Sequence, residues 1–319
     1  MKAVVFDQML KSVDDYPEPA ARPGWSRVRV ITAGICKTDL EIIKGYFGFH
    51  GVLGHEFVGR VEQPDGSPGR RVVGEINAAC GTCDWCARGL GRHCPNRTTL
   101  GIDRLDGCMA EVCVLPDENL HEVPEGMPDD HAVLVEPLSA ACEILEQHPV
   151  RSGERVVVLG DGKLGIFCAW VLLGAGADVT LAGKHPEKLA RARWGALKTA
   201  LAAEPIESGA DLVVEATGSE SGLSRAIELC RPRGAICLKS TVAASHRLHL
   251  APVVIHELTL FGSRCGQFKD GLAWMQRHPD APLDRLIAAR YPIDQAEEAF
   301  RAAAASSLKV LLDIGGASR

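Results

Sequence analysis

Over roughly the first 140 residues, hydrophobic positions come in short runs broken by glycine and proline: KAVVF, SRVRVITAGI, EFVGRVEQ, RRVVGEI and AEVCVLP. β-branched residues punctuated by turn formers predict strands, so this part reads as a β-rich lobe. From about Val150 the pattern changes. Apolar runs of strand length (ERVVVLG, DVTLAG, ADLVVEATG, GAICLKS) alternate with segments of helical period (KLGIFCAWVLLGAGA, PEKLARARWGA, SGLSRAIELCRP). That alternation predicts an α/β, doubly wound parallel sheet with helices on both faces. Beyond Gly262, KDGLAWMQRHP and YPIDQAEEAFRAAAA read as helical and LKVLLDI as a last strand. No repeat and no low-complexity linker interrupts the chain, which predicts closely packed lobes.

Composition narrows the classes. The chain has 319 residues, enough for two domains, with 46% hydrophobic and 24% charged residues, the balance of a soluble globular protein. A net charge of -6 gives no electrostatic reason to expect nucleic acid or an anionic membrane as partner. No apolar run reaches membrane-spanning length, and MKAVVFDQML lacks the apolar core of a secretory signal. A cytoplasmic location is expected.

Twelve cysteines in a reducing compartment read better as metal ligands than as six disulfides. Cys80, Cys83, Cys86 and Cys94, in CGTCDWCARGLGRHC, are close enough for a short lobe to wrap one structural zinc in a tetrahedron of thiolates. Four unrelated buried cysteines are the alternative.

VVVLGDGKLG ends a predicted strand and opens a predicted helix. Its Gly160, Gly162 and Gly165 have the G-x-G-x-x-G spacing that makes a tight turn, lets backbone approach a pyrophosphate and packs helix on strand; Lys163 and Leu164 complete the loop. A dinucleotide is therefore the expected cofactor. An NAD-preferring fold would carry Asp or Glu at the end of the second strand. Here Gly183 takes that place, followed by Lys184 and His185. Glycine leaves room for a 2'-phosphate and the two basic side chains offer charge, so NADP is favoured, with NAD possible if Lys184 and His185 form only a solvated turn.

Cys36 in GICKTDL and His55-Glu56 in GHE are the donor types of a catalytic zinc that keeps one position open. With the cysteine tetrad, EPLSAA, the glycine loop and EATGS in this order, the chain resembles the zinc-dependent medium-chain alcohol dehydrogenases nearly end to end. The resemblance implies a GroES-like catalytic domain over residues 1–140, a Rossmann cofactor domain over 141–262, and a segment, 263–319, returning to the first. It implies one catalytic zinc at Cys36 and His55, with Glu56 beside it and Glu136 at the position many members fill with cysteine. The polyol and sugar dehydrogenase branch is similar in carrying glutamate there, and which glutamate ligates directly stays open. Thr38 matches the hydroxyl that accepts the substrate proton.

Glu41 stands where some members carry a relay histidine and receives no catalytic role. Lys37 is a weaker candidate for neutralising cofactor phosphate, Arg264 either meets cofactor or substrate or forms an interface salt bridge, and His50 and Phe47 either line the cleft or pack the core. The implied activity is hydride transfer between a secondary alcohol, polyol or sugar hydroxyl and NADP or NAD, in a homodimer or homotetramer. A primary alcohol or aldehyde dehydrogenase, a zinc-free reductase of the same superfamily and a non-catalytic nucleotide-binding regulator are the alternatives.

Overall fold

SRVRVITAGI lies in the eleven-residue strand Trp25–Ile35 of the computed structural model, which describes residues 1–65, 67–241, 249–305 and 308–315. Burial alternates from Arg27 to Ile31, and every residue from Thr32 to Ile35 is buried. An irregularity in register between Val30 and Thr32 separates the two regimes. The chain divides into two compact units, Met1–Glu136 with Ile287 onward, and Pro137–Leu286.

In the first unit, a seven-stranded sheet runs Leu120–Glu122, Pro68–Gly74, Glu56–Glu62, Trp25–Ile35, Lys309–Asp313, Ile287–Pro292, with Val112–Pro116 also pairing Trp25–Ile35. The long middle strand carries Glu56–Glu62 on one side. On its other side it carries Val112–Pro116 along its first half and the C-terminal strand Lys309–Asp313 along its second. Gly34 is thus flanked by Glu56 on one neighbour and Leu311 on the other. This register sets the polar core described below. A small sheet of Asn77–Ala78, Thr98–Leu100 and Arg104–Leu105 carries the cysteine lobe.

The second unit is built on six parallel strands in the order Lys198–Leu201, Asp178–Gly183, Arg155–Leu159, Ala210–Glu215, Cys230–Leu238, Thr259–Gly262. By position in the sequence this is 3-2-1-4-5-6, the doubly wound order that binds dinucleotides at its switch point. The two outermost strands have four residues each, too short to stand out in the hydrophobic pattern. The helix Lys163–Gly174 buries every residue from Gly165 to Leu172, as a segment apolar on all sides must.

The helix Phe268–Arg277 and the turn Leu283–Leu286 belong to this unit, so the chain returns to the first unit at Ile287, not at residue 263. Aromatic packing holds the helix there. Trp274 and His278 meet Trp194 edge to face at centroid distances of 5.6 and 5.3 Å, and Trp194 packs on Trp170. Tyr291-Pro292, expected to open a helix, instead ends the strand Ile287–Pro292, and the helix runs Ala296–Ala305.

Candidate active site and metal centres

Cys36 follows the last residue of the long strand and caps the short helix Lys37–Ile42. Its backbone N–H donates to Asp39 Oδ2 at 2.7 Å. Asp39 is fully buried, and its other oxygen lies 3.4 Å from His55 Nδ1. One carboxylate therefore fixes the Cys36 turn through a hydrogen bond and faces the His55 ring at ion-pair distance, while neither Asp39 Oδ1 nor His55 Nδ1 has a hydrogen-bond partner among the described residues. Burial opposes a charge on His55, but Asp39 and Cys36 outweigh it and hold its pKa well above the ordinary value.

Glu56 opens the strand Glu56–Glu62 and is fully buried. Oε2 pairs with the equally buried Lys309 Nζ, and Oε1 has no hydrogen-bond partner among the described residues. For Lys309, burial opposes the charge, yet Glu56, Cys36 and Glu136 raise its pKa.

The donor set fits a zinc ion. One atom each of Cys36, His55 and Glu56 lies within 4.8 Å of the others, giving sulfur, nitrogen and oxygen around one point. Glu136, in the first turn of the helix Val135–Gln147, is partly exposed and lies outside that group. Thr38 Oγ1 is 3.8 Å from the Cys36 sulfur.

The four other cysteines also converge. Sulfur separations are 3.5 Å for Cys83–Cys86 and Cys80–Cys94, 3.7 Å for Cys83–Cys94 and 4.0 Å for Cys80–Cys86. A tetrahedron with zinc–sulfur bonds of about 2.3 Å spaces its sulfurs roughly 3.8 Å apart, so the tetrad fits. The backbone and hydroxyl of Thr82 lower the Cys80 thiol to about 5, and backbone groups of Cys80 and Asn96 help lower that of Cys94.

In the glycine loop, Gly160 has φ +118° and a Cβ there would meet Ala216 O at 2.5 Å. A Cβ on Gly165 would strike Gly160 O at 1.9 Å, whereas Gly162, at the helix N-terminus, faces open space. These are the conditions for a tight turn, close helix packing and approach of a pyrophosphate. Lys163 and Leu164 are half-buried in the first helical turn, and Lys184 and His185 are exposed. The room expected beside Gly183 is filled: a Cβ there would lie 2.4 Å from Asp161 Oδ2.

The family model for the alcohol dehydrogenase GroES-like domain matches residues 22–125, and that for the glucose dehydrogenase C-terminus matches residues 129–314. The chain belongs to the zinc-type medium-chain alcohol dehydrogenases. This dehydrogenase is 26% identical over 326 residues to a sorbitol dehydrogenase of Halalkalibacterium halodurans, covering 94% of this chain and 95% of the relative. Its fold matches the alcohol dehydrogenase RspB of Escherichia coli CFT073, complexed with NADH, at a TM-score of 0.88 and 26% identity, over 98% of this chain and 99% of the other. It also matches a zinc-binding dehydrogenase of Sinorhizobium meliloti 1021, bound to NADP, at 0.87 and 26% identity, over 98% of both chains. The dehydrogenase is accordingly a zinc-dependent oxidoreductase of alcohols that uses NAD(P).

The weaker candidates separate. Glu41 pairs with Lys44 at 3.1 Å on the helix surface, and Lys37 is exposed. Phe47 is 63% exposed, so it does not pack the core, while His50 stacks on Phe6. Arg264 is exposed, and its carbonyl accepts from Lys239 Nζ at 3.0 Å. Three residues that sequence reasoning passed over stand at the sites: Asp39, Lys309 and Asp161. Asp39, three residues after Cys36, had a legible signal in the spacing of a capping box. Lys309 had none.

Proposed function

We propose that the dehydrogenase oxidises a secondary alcohol, polyol or sugar hydroxyl, or reduces the matching carbonyl, at a zinc held by Cys36, His55 and Glu56. The convergence of those three donor atoms within 4.8 Å carries the reading. When bound, zinc acts as a Lewis acid on the substrate hydroxyl and the nicotinamide takes or gives the hydride. Around them, Asp39 orients His55 and the Cys36 turn, Lys309 balances Glu56, and Thr38 Oγ1, beside Cys36, accepts the hydrogen bond of the substrate hydroxyl and relays its proton to solvent. Glu136, partly exposed, lies close enough to act electrostatically on Lys309. Cys80, Cys83, Cys86 and Cys94 hold the structural zinc, and Gly160, Gly162, Lys163, Leu164 and Gly165 cradle the pyrophosphate. Kinship with a sorbitol dehydrogenase supports the polyol class.

We assign residues 1–136 and 287 onward as the catalytic domain and 137–286 as the cofactor domain, in a cytoplasmic protein. No helix among the described residues is long and apolar enough to cross a membrane. The decisive experiment follows reduced-nicotinamide absorbance over primary alcohols, secondary alcohols, polyols and aldoses, with metal content measured alongside. Turnover on one class, lost in Cys36→Ser together with one of two zinc ions, is the expected result. Full activity in Cys36→Ser would refute the assignment.

A further inference from the structure

We infer that Asp161, between the first two glycines of the loop, reads the cofactor ribose in place of the acidic residue missing at position 183, and so sets a preference for NAD over NADP. The inference rests on the reading of residues 137–286 as the cofactor domain.

In doubly wound dinucleotide-binding sheets, a carboxylate at the end of the second strand bonds the ribose 2'-hydroxyl, and its negative charge disfavours a 2'-phosphate. Here the second strand ends in Gly183. A Cβ on that residue would lie 2.3 Å from Asp161 Cβ, 2.6 Å from Cγ and 2.4 Å from Oδ2. No side chain fits at 183 because the Asp161 side chain already occupies the place where it would begin. The carboxylate has moved from the second strand to the loop after the first, and glycine at 183 is the steric condition for that exchange.

Asp161 is held where it stands. It is only 7% exposed, and Oδ2 accepts the backbone N–H of His185 at 2.7 Å. His185 Nδ1 lies 3.1 and 3.0 Å from its two oxygens. The loop and the turn after the second strand, 24 residues apart, are thereby locked together. The same contacts redirect His185, whose charge was expected to meet a 2'-phosphate: both its backbone N–H and its Nδ1 face Asp161 instead. Lys184 remains as an exposed cation beside the site. A carboxylate offers about four acceptor positions, so Asp161 retains capacity for a ribose hydroxyl beyond its bonds to His185. A phosphate at the 2'-position would bring about two negative charges towards a fixed carboxylate.

The test is a binding titration of the zinc-loaded protein with NADH and with NADPH, read by energy transfer from tryptophan to the reduced nicotinamide and therefore independent of turnover. Wild type is expected to bind NADH at least about ten-fold more tightly than NADPH, the size of a like-charge penalty at a fixed site. Asp161→Asn keeps an oxygen for the His185 N–H and removes only the charge, and it should tighten NADPH by about ten-fold. Asp161→Ser should weaken NADH and narrow the ratio further. Equal or tighter binding of NADPH by wild type overturns the inference even if both variants fail to fold, and so does a ratio unchanged in folded variants. If NADH binds with the expected preference but no alcohol turns over, Asp161 keeps its role and the catalytic reading falls. If neither nucleotide binds, both fall.

Discussion

At Gly34 the absence of a side chain lets two buried charges meet. A Cβ there would lie 2.5 Å from Glu56 Oε2 and 3.2 Å from Lys309 Cδ, so the middle strand must carry glycine for the pair on its two neighbours to close. A buried ion pair adds little net stability over an apolar pair of similar volume, but removing one partner strands the other charge and costs about 3–5 kcal/mol. Urea unfolding in the presence of chelator should show that loss for Lys309→Met, and a much smaller one for Lys309→Met combined with Glu56→Leu. Equal losses in the single and double variants would mean that the pair is not what holds these side chains in place. Nothing in the sequence marks this contact: Glu56 and Lys309 are 253 residues apart, and only strand register makes them neighbours.

The cysteine lobe shows the opposite case, an element legible from spacing alone. All four sulfurs come from one stretch of fifteen residues, so local geometry suffices to gather them. Its helical pieces, Asp84–Ala87 and Gly91–His93, are below the length at which a helix stands unaided, so the metal must organise the lobe. The Cys80 thiol, at about 5 in the folded lobe against an ordinary 9.0, contributes stability in full above pH 9, and that contribution is lost as pH falls through about 5. Zinc release followed with a colorimetric chelator should therefore stay low at neutral pH and rise steeply as pH approaches 5. Release of this zinc already at pH 7, or its retention in Cys86→Ser, would contradict the tetrad.

For the whole molecule, among the described residues the edge strand Thr259–Gly262 has a strand partner on one side only. The preceding helix Ala251–Ile255 exposes Val254 at 77% and Ile255 at 73%, with Leu250 before it at 51%. An open edge beside exposed apolar side chains invites pairing with another strand, and we propose a second copy of this chain as the partner, in a homodimer or a tetramer of dimers. Light scattering should give at least a dimer for wild type and a monomer for Val254→Glu combined with Ile255→Glu, with metal content unchanged. A monomeric wild type would remove the proposal.

Cys36 and the His-Glu dipeptide were joined only by a family resemblance, whereas by itself the sequence determined whatever depends on short-range spacing: alternation of strand and helix, the glycine loop and the cysteine tetrad. Chain connectivity holds such residues close in any fold that preserves their elements, so spacing and chemistry are enough to recognise them. Tertiary structure decided the rest, because strand order, register and burial are set by contacts across the whole chain. Those contacts brought Lys309 against Glu56 and put the helix Phe268–Arg277 with the second unit. They also filled the space beside Gly183 with the carboxylate of Asp161, so that a position read from sequence as room for a phosphate became one that opposes it.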